Sequence, residues 1–151
     1  MRSNGTVLRL ESVSTSLVTA LRHAAEIRQR AACLVACEFA VVQTGISSST
    51  VQRALQLLRA LKPIPAELKQ GLDVLTQQLD DKYFDFQEAA EDGNVSEDEW
   101  KQVFSQARAA SALAFASGEN AFDAASEAIY EAAATVDEPN ELLSIVLKTL
   151  A

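Results

Sequence analysis

Apolar residues recur along this chain at spacings of three and four, the period of a helix with one buried face. Leu17, Leu21, Ala24, Ile27 or Arg28, Ala31 and Val35 mark the first such face. The cluster Ser12–Ser16 offers hydroxyls to cap its first amides, and Thr44-Gly45 closes it with the residue best suited to a left-handed C-terminal cap. A second helix opens within Ser47–Thr50, where Ser49-Thr50-Val51-Gln52 fits a capping box, and carries Val51, Ala54, Leu55, Leu58 and Leu61. Lys62-Pro63-Ile64-Pro65 cannot continue it, because neither proline donates an amide hydrogen. A third helix opens at Pro65 and runs through Leu68, Leu72, Leu75, Leu79, Tyr83, Phe86 and Ala90.

Asp92-Gly93-Asn94 is a turn signal, and Ser96-Glu97-Asp98-Glu99 is a second capping box. The fourth helix then shows Trp100, Val103, Phe104, Ala107, Ser111 and Ala114, and stops at Ser117-Gly118. A fifth begins at Glu119 or Asn120 with Phe122, Ala125, Ile129, Ala132 and Val136 inward. After Asp137-Glu138-Pro139 a sixth carries Leu142, Leu143, Ile145, Val146 and Leu150. The pattern predicts an all-α fold, one domain over residues 1–151, built as a bundle of about six helices. Short loops make sequential neighbours mainly antiparallel. Residues 1–11 precede the periodic stretch and read as a flexible N-terminal segment.

Composition supports helix over sheet. Glycine (5) and proline (3) are scarce, and alanine, which loses no side-chain entropy in a helix, is abundant after Ala107. With 48% hydrophobic and 23% charged residues the chain is globular in type, and 151 residues suffice for a core without a metal or disulfide staple. The opening MRSNGTVLRLESVS lacks the apolar run of a signal peptide. The longest apolar stretch, Ala31 to Val42, is interrupted by Glu38 and is too short to span a bilayer. No membrane association is expected. The absence of an export signal, with only two cysteines, points to a reducing, cytoplasmic setting.

The net charge of −8 is unevenly spread. Residues 1–62 hold eight basic and three acidic residues, net +5; residues 63–151 hold five basic and eighteen acidic, net −13. That distribution argues against nucleic acid as a partner, since phosphate binding needs a dominant basic face. It suits a basic protein partner drawn in by long-range attraction. The acidic residues peak between 80 and 99, where only Lys82 offsets them. Asp81, Asp85, Glu88 and Asp92, spaced four, three and four apart, share one helix face, and Glu97 and Asp98 follow the turn. A solvated helix face accounts for such a stripe, and so does a docking surface for an Arg- or Lys-rich partner. Tyr83, Phe84, Phe86 and Trp100 supply aromatic anchors for the second reading.

The same segment fits a calcium-binding helix-loop-helix in part. Gly93 falls at the sharp-turn position, Val95 two later, and Glu99 at the bidentate last position; Glu88, Asp92, Asn94 and Ser96 occupy other ligand slots. Ala90, in the third slot, has no side-chain oxygen, which removes a ligand from the oxygen cage. A third candidate set, for a small enzyme or cofactor carrier, is Cys33, Cys37 and His23. Cys33 and Cys37 share a helix face, but two thiolates fall short of a zinc site, and the apolar run AACLVACEFAVV favours core thiols. His23 points well away from them on a continuous helix and has no Cys-His pairing close in sequence. No phosphate loop, HExxH or CxxC pair is present, so no catalytic residue is assigned and no cofactor is expected.

The segment FSQARAASALAFA from Phe104, followed after a short turn by AFDAASEAIYEAAATVDEP, forms an Ala-rich helical pair, to which LVACEFAVVQTG in the first helix adds. It resembles the small helical immunity proteins of bacterial polymorphic-toxin systems. The resemblance implies a cytoplasmic, non-catalytic protein that binds and blocks a cognate toxin. An acidic second half suits a toxin with a basic cleft for nucleic acid.

Overall fold

The chain's apolar stripes become seven α-helices, seen here in a computed structural model that describes residues 8–151. A short 3-10 turn, Arg9–Ser12, precedes α1 (Thr15–His23), α2 (Glu26–Thr44), α3 (Ser49–Arg59), α4 (Ala66–Glu91), α5 (Glu97–Ala116), α6 (Ala121–Ala133) and α7 (Asn140–Leu150). No strand occurs among the described residues. Of the N-terminal segment expected to be flexible, residues 1–7 lie outside the described residues. From Leu8 onward it is packed: Leu8 and Leu10 are buried in the core.

The expected six helices become seven because the first predicted helix is two. Ala24 and Ala25 are extended, with ψ of 151° and 154°, and separate α1 from α2. Neither is a helix breaker, so the break comes from packing. α1 sits on the 3-10 turn, α6 and α7, while α2 packs on α3, α5, α6 and α7. The buried Gln29 side chain donates to the Leu21 carbonyl at 2.9 Å and so occupies an acceptor near the end of α1. The break also resets the helical phase. Ala32, Cys33, Ala36, Cys37, Ala40 and Val41 form the buried face of α2, whereas Ile27, expected on it, is 69% exposed.

Caps lie close to where the sequence put them. Gly45, at φ 66°, ends α2 with its amide on the Val41 carbonyl. The hydroxyl of Ser96 accepts from the Glu99 amide, and Asn120 accepts from the Asp123 amide. α3 is capped by Ser48, one residue before the predicted box.

α2, α5 and α6 pack on one another, with α7 laid against α2. Alanines fill these contacts: Ala32, Ala36 and Ala40 on α2, Ala109, Ala110 and Ala112 on α5, and Ala125, Ala128 and Ala132 on α6. Small side chains let helix axes approach closely. The C-terminal half of α5 is buried nearly all round, as befits a central helix, rather than on the single face its periodicity predicts. α4 is different. It packs against α5, with α3 touching it around Gly71, and no residue of α4 beyond Leu72 is fully buried. Its second half and the first turns of α5 therefore form a hairpin that extends past the main core.

Candidate functional site

The tip of the α4–α5 hairpin gathers the acidic segment. α4 continues helically through Glu91; Asp92 ends it, Gly93 turns the chain at φ 79°, and Ser96 caps α5. The two helices are joined there by rings. Tyr83 lies 5.2 Å from Phe104, 5.9 Å from Trp100 and 5.3 Å from Phe84, centroid to centroid and all tilted. Aromatic pairs in such geometry add attraction beyond the area they bury. Tyr83, Trp100 and Phe104 are half-buried, and Phe84 is 60% exposed, the most exposed aromatic side chain among the described residues.

The predicted partner-binding residues Asp81, Asp85, Glu88, Asp92, Glu97 and Asp98 are all exposed. Asp81 accepts from the Gln77 amide at 2.9 Å, and Glu97 pairs with Lys101 at 2.7 Å. That hydrogen bond and the charge of Lys101 hold the Glu97 carboxyl below its ordinary pKa and raise Lys101 in turn. Asp81, Phe84 and Glu88 are three and four residues apart on α4, so the exposed ring shares a face with two carboxylates. Asp80, beside the stripe, turns inward and pairs with Arg108 at 2.7 Å.

The residues of the calcium reading are arranged otherwise. Glu88 and Ala90 lie within helical α4, so a twelve-residue loop starting at Glu88 does not form; Asp92, Asn94, Ser96 and Glu99 span the short turn and the α5 cap. Among the described residues no group of three or more His, Cys, Asp or Glu side chains is positioned to hold a metal ion.

Cys33 and Cys37 are free and buried on α2. The Cys37 thiol is pushed well above its ordinary range by its hydrogen bond with Cys33 and then by burial, which keeps it protonated and a poor nucleophile. His23 is exposed in the last turn of α1, on the far side of the helix break. No helix among the described residues is long and apolar enough to cross a membrane.

A second charged cluster, with no counterpart among the sequence-predicted site residues, lies where α4, α5 and α6 meet the 3-10 turn. Glu131 on α6 is 3% exposed, and one of its oxygens accepts from Arg108 Nη1 at 3.0 Å and from the Ser111 hydroxyl at 2.6 Å. Arg9, from the 3-10 turn, approaches the same carboxylate at 4.0 Å and hydrogen-bonds Glu127. Its guanidinium stacks 4.3 Å from the Tyr130 ring centroid and 5.6 Å from that of Phe115. Burial opposes its charge, but the hydrogen bond and charge of Glu127, with Glu131 beyond it, outweigh that and raise the Arg9 pKa. The cluster ties the 3-10 turn, α4, α5 and α6 together. Its polar atoms are largely consumed by one another, so it reads as a clamp. The available signal was a lone Arg108 and a lone Glu131 inside alanine runs, where an isolated charge needs a partner.

Compared with family models, curated proteins and solved structures, the chain matches none.

Proposed function

We propose that the chain is a non-catalytic protein-binding module whose working surface is the acidic tip of the α4–α5 hairpin. Most concretely it is an immunity-type inhibitor that holds a basic toxin in the bacterial cytoplasm. Its short loops fit an up-and-down bundle of mainly antiparallel helices. The observation that carries this reading is the exposed Phe84 ring, flanked on its own face by Asp81 and Glu88 and backed by Tyr83. An exposed aromatic within a field of one sign combines the two ingredients of a specific interface. The ring supplies desolvation energy on contact, and the carboxylates supply steering and reject acidic competitors. The net −13 of residues 63–151 extends the attraction beyond the contact itself. The Ala-rich α5–α6 pair is the part that resembles immunity proteins, and in this reading it serves as the scaffold that presents the hairpin.

The test is affinity capture from the native cells with wild-type protein and two variants. One reverses Asp81, Asp85, Glu88 and Asp92 to lysine; the other is Phe84→Ala. Wild type should retain a basic protein, the lysine variant should lose it, and Phe84→Ala should weaken retention by about tenfold, some 1.4 kcal/mol. Retention should also fall with added salt. Equal capture by all three forms would remove the hairpin tip from consideration.

A further inference from the structure

A cleft of about 380 Å³ lies between α2, the chain that links α3 to α4, and the α5–α6 loop. That is the size of a small-molecule site. Its walls include Leu34, Leu58 and Ile64, with Ala116 behind them. Arg30 fixes the opposing sides by donating to the Gly118 carbonyl at 3.0 Å and the Glu119 carbonyl at 2.7 Å. Two of the cleft's three sides, α2 and the α5–α6 loop, are therefore joined by bonds that need no occupant.

Two features distinguish it from an ordinary surface groove. The first is Leu61, which lines it. The Lys62 amide donates to the Leu57 carbonyl at 2.9 Å, the bond that closes a helix end around a left-handed residue. That residue is Leu61, at φ 57°, the only described non-glycine residue with positive φ. Glycine is the natural occupant of such a position. The leucine side chain is 73% exposed, so burial within the chain recovers little of the conformational cost. The second feature is charge. Glu26 and Lys62 both line the cleft, and neither makes an ion pair among the described residues. With Arg30 and Glu119 the lining is balanced between two cations and two carboxylates.

We propose that this cleft binds an apolar α-amino acid. The side chain occupies the space between Leu34, Leu58 and Ile64, Leu61 covers it, and the two ends of the zwitterion meet Lys62 and Glu26. A ligand with a single charge would be attracted by one half of the balanced lining and repelled by the other; a zwitterion satisfies both. A strained, solvent-facing leucine at the mouth then has a role, because its apolar surface is buried when the site fills.

The test uses three probes with the same phenyl body: L-phenylalanine, 3-phenylpropanoate and phenethylamine. Amide chemical shifts of the intact chain are followed by NMR during titration. L-Phenylalanine should shift Leu61, Lys62 and Gly118 saturably and bind about tenfold tighter than either single-charge analogue. Leu61→Gly should raise the melting temperature, because it relieves the left-handed strain, and yet weaken phenylalanine binding severalfold. Lys62→Met should remove the preference for phenylalanine over phenethylamine. Absence of a saturable shift up to the solubility limit, equal affinity for all three probes, or undiminished binding by Leu61→Gly overturns the proposal.

Discussion

Glu131 shows what one residue decides in this molecule. Its carboxylate is the point where Arg108 from α5, the Ser111 hydroxyl and the more distant Arg9 converge. A buried ion pair is weak evidence of net stability, but removing one partner leaves a buried charge uncompensated. Glu131→Ala should therefore destabilise the fold by about 3 kcal/mol, the low end for such a loss because Asp80 still faces Arg108. Replacing Glu131 and Arg108 together by leucine should restore most of that. Urea unfolding of the single and double variants measures both numbers, and a single-variant loss under about 1 kcal/mol would show that the clamp is ornamental. That each charge needs a partner is legible from its alanine-rich surroundings, but which partner is not, since Glu131 and Arg108 are 23 positions apart and Arg9 and Glu127 are 118 apart.

At the scale of elements, the break between α1 and α2 is the clearest departure from the periodic pattern. Leu17, Leu21, Ala24, Ala31 and Val35 fit one continuous stripe, and residues 24 and 25 are both alanine, the best helix former. Intrinsic preference is overruled because α1 has to reach the 3-10 turn and α7 while α2 follows α5 and α6. The Gln29 bond to the Leu21 carbonyl is the local compensation. Gln29→Ala should cost about 0.5–1.5 kcal/mol, the net worth of one hydrogen bond, because the Leu21 carbonyl keeps its bond from the Ala24 amide at 3.2 Å. Native-state hydrogen exchange should show the loss concentrated in α1, with faster amide exchange there than in α5. Uniform acceleration across all helices, or none in α1, would contradict that account. Helix ends elsewhere were more legible, because a cap is a matter of residues within four positions. Ser96 with Glu99, Asn120 with Asp123 and Gly45 all serve as their sequence predicts.

For the whole molecule the dominant quantity is the charge split. Like charges along α4 and the start of α5 repel one another, and the exposed ion pairs that salt would weaken, such as Lys69–Asp73 and Arg59–Glu38, are each worth little. The Glu131–Arg108 pair at the centre of the buried cluster is sheltered from screening. Raising ionic strength from a few millimolar to about 1 M, where the Debye length is about 3 Å, should therefore raise the melting temperature by several degrees. Thermal unfolding followed by circular dichroism across a sodium chloride series tests this. A flat or falling melting temperature would mean that self-repulsion is not a significant burden on the fold.

The sequence by itself determined the helical class, most helix ends, the burial of Cys33 and Cys37, and the concentration of carboxylates between residues 80 and 99. Each of these rests on composition or on residues a few positions apart, where helical geometry fixes who meets whom. Tertiary structure alone decided the division of the first helix, the new phase of α2, the all-round burial of α5 and the inward turn of Asp80. It also decided that Phe84, rather than Tyr83 or Trp100, is the ring left facing solvent, and that Arg30, Leu61 and Gly118 bound one cleft. Those outcomes depend on which helices become neighbours, and neighbours distant in sequence leave no periodic trace in it.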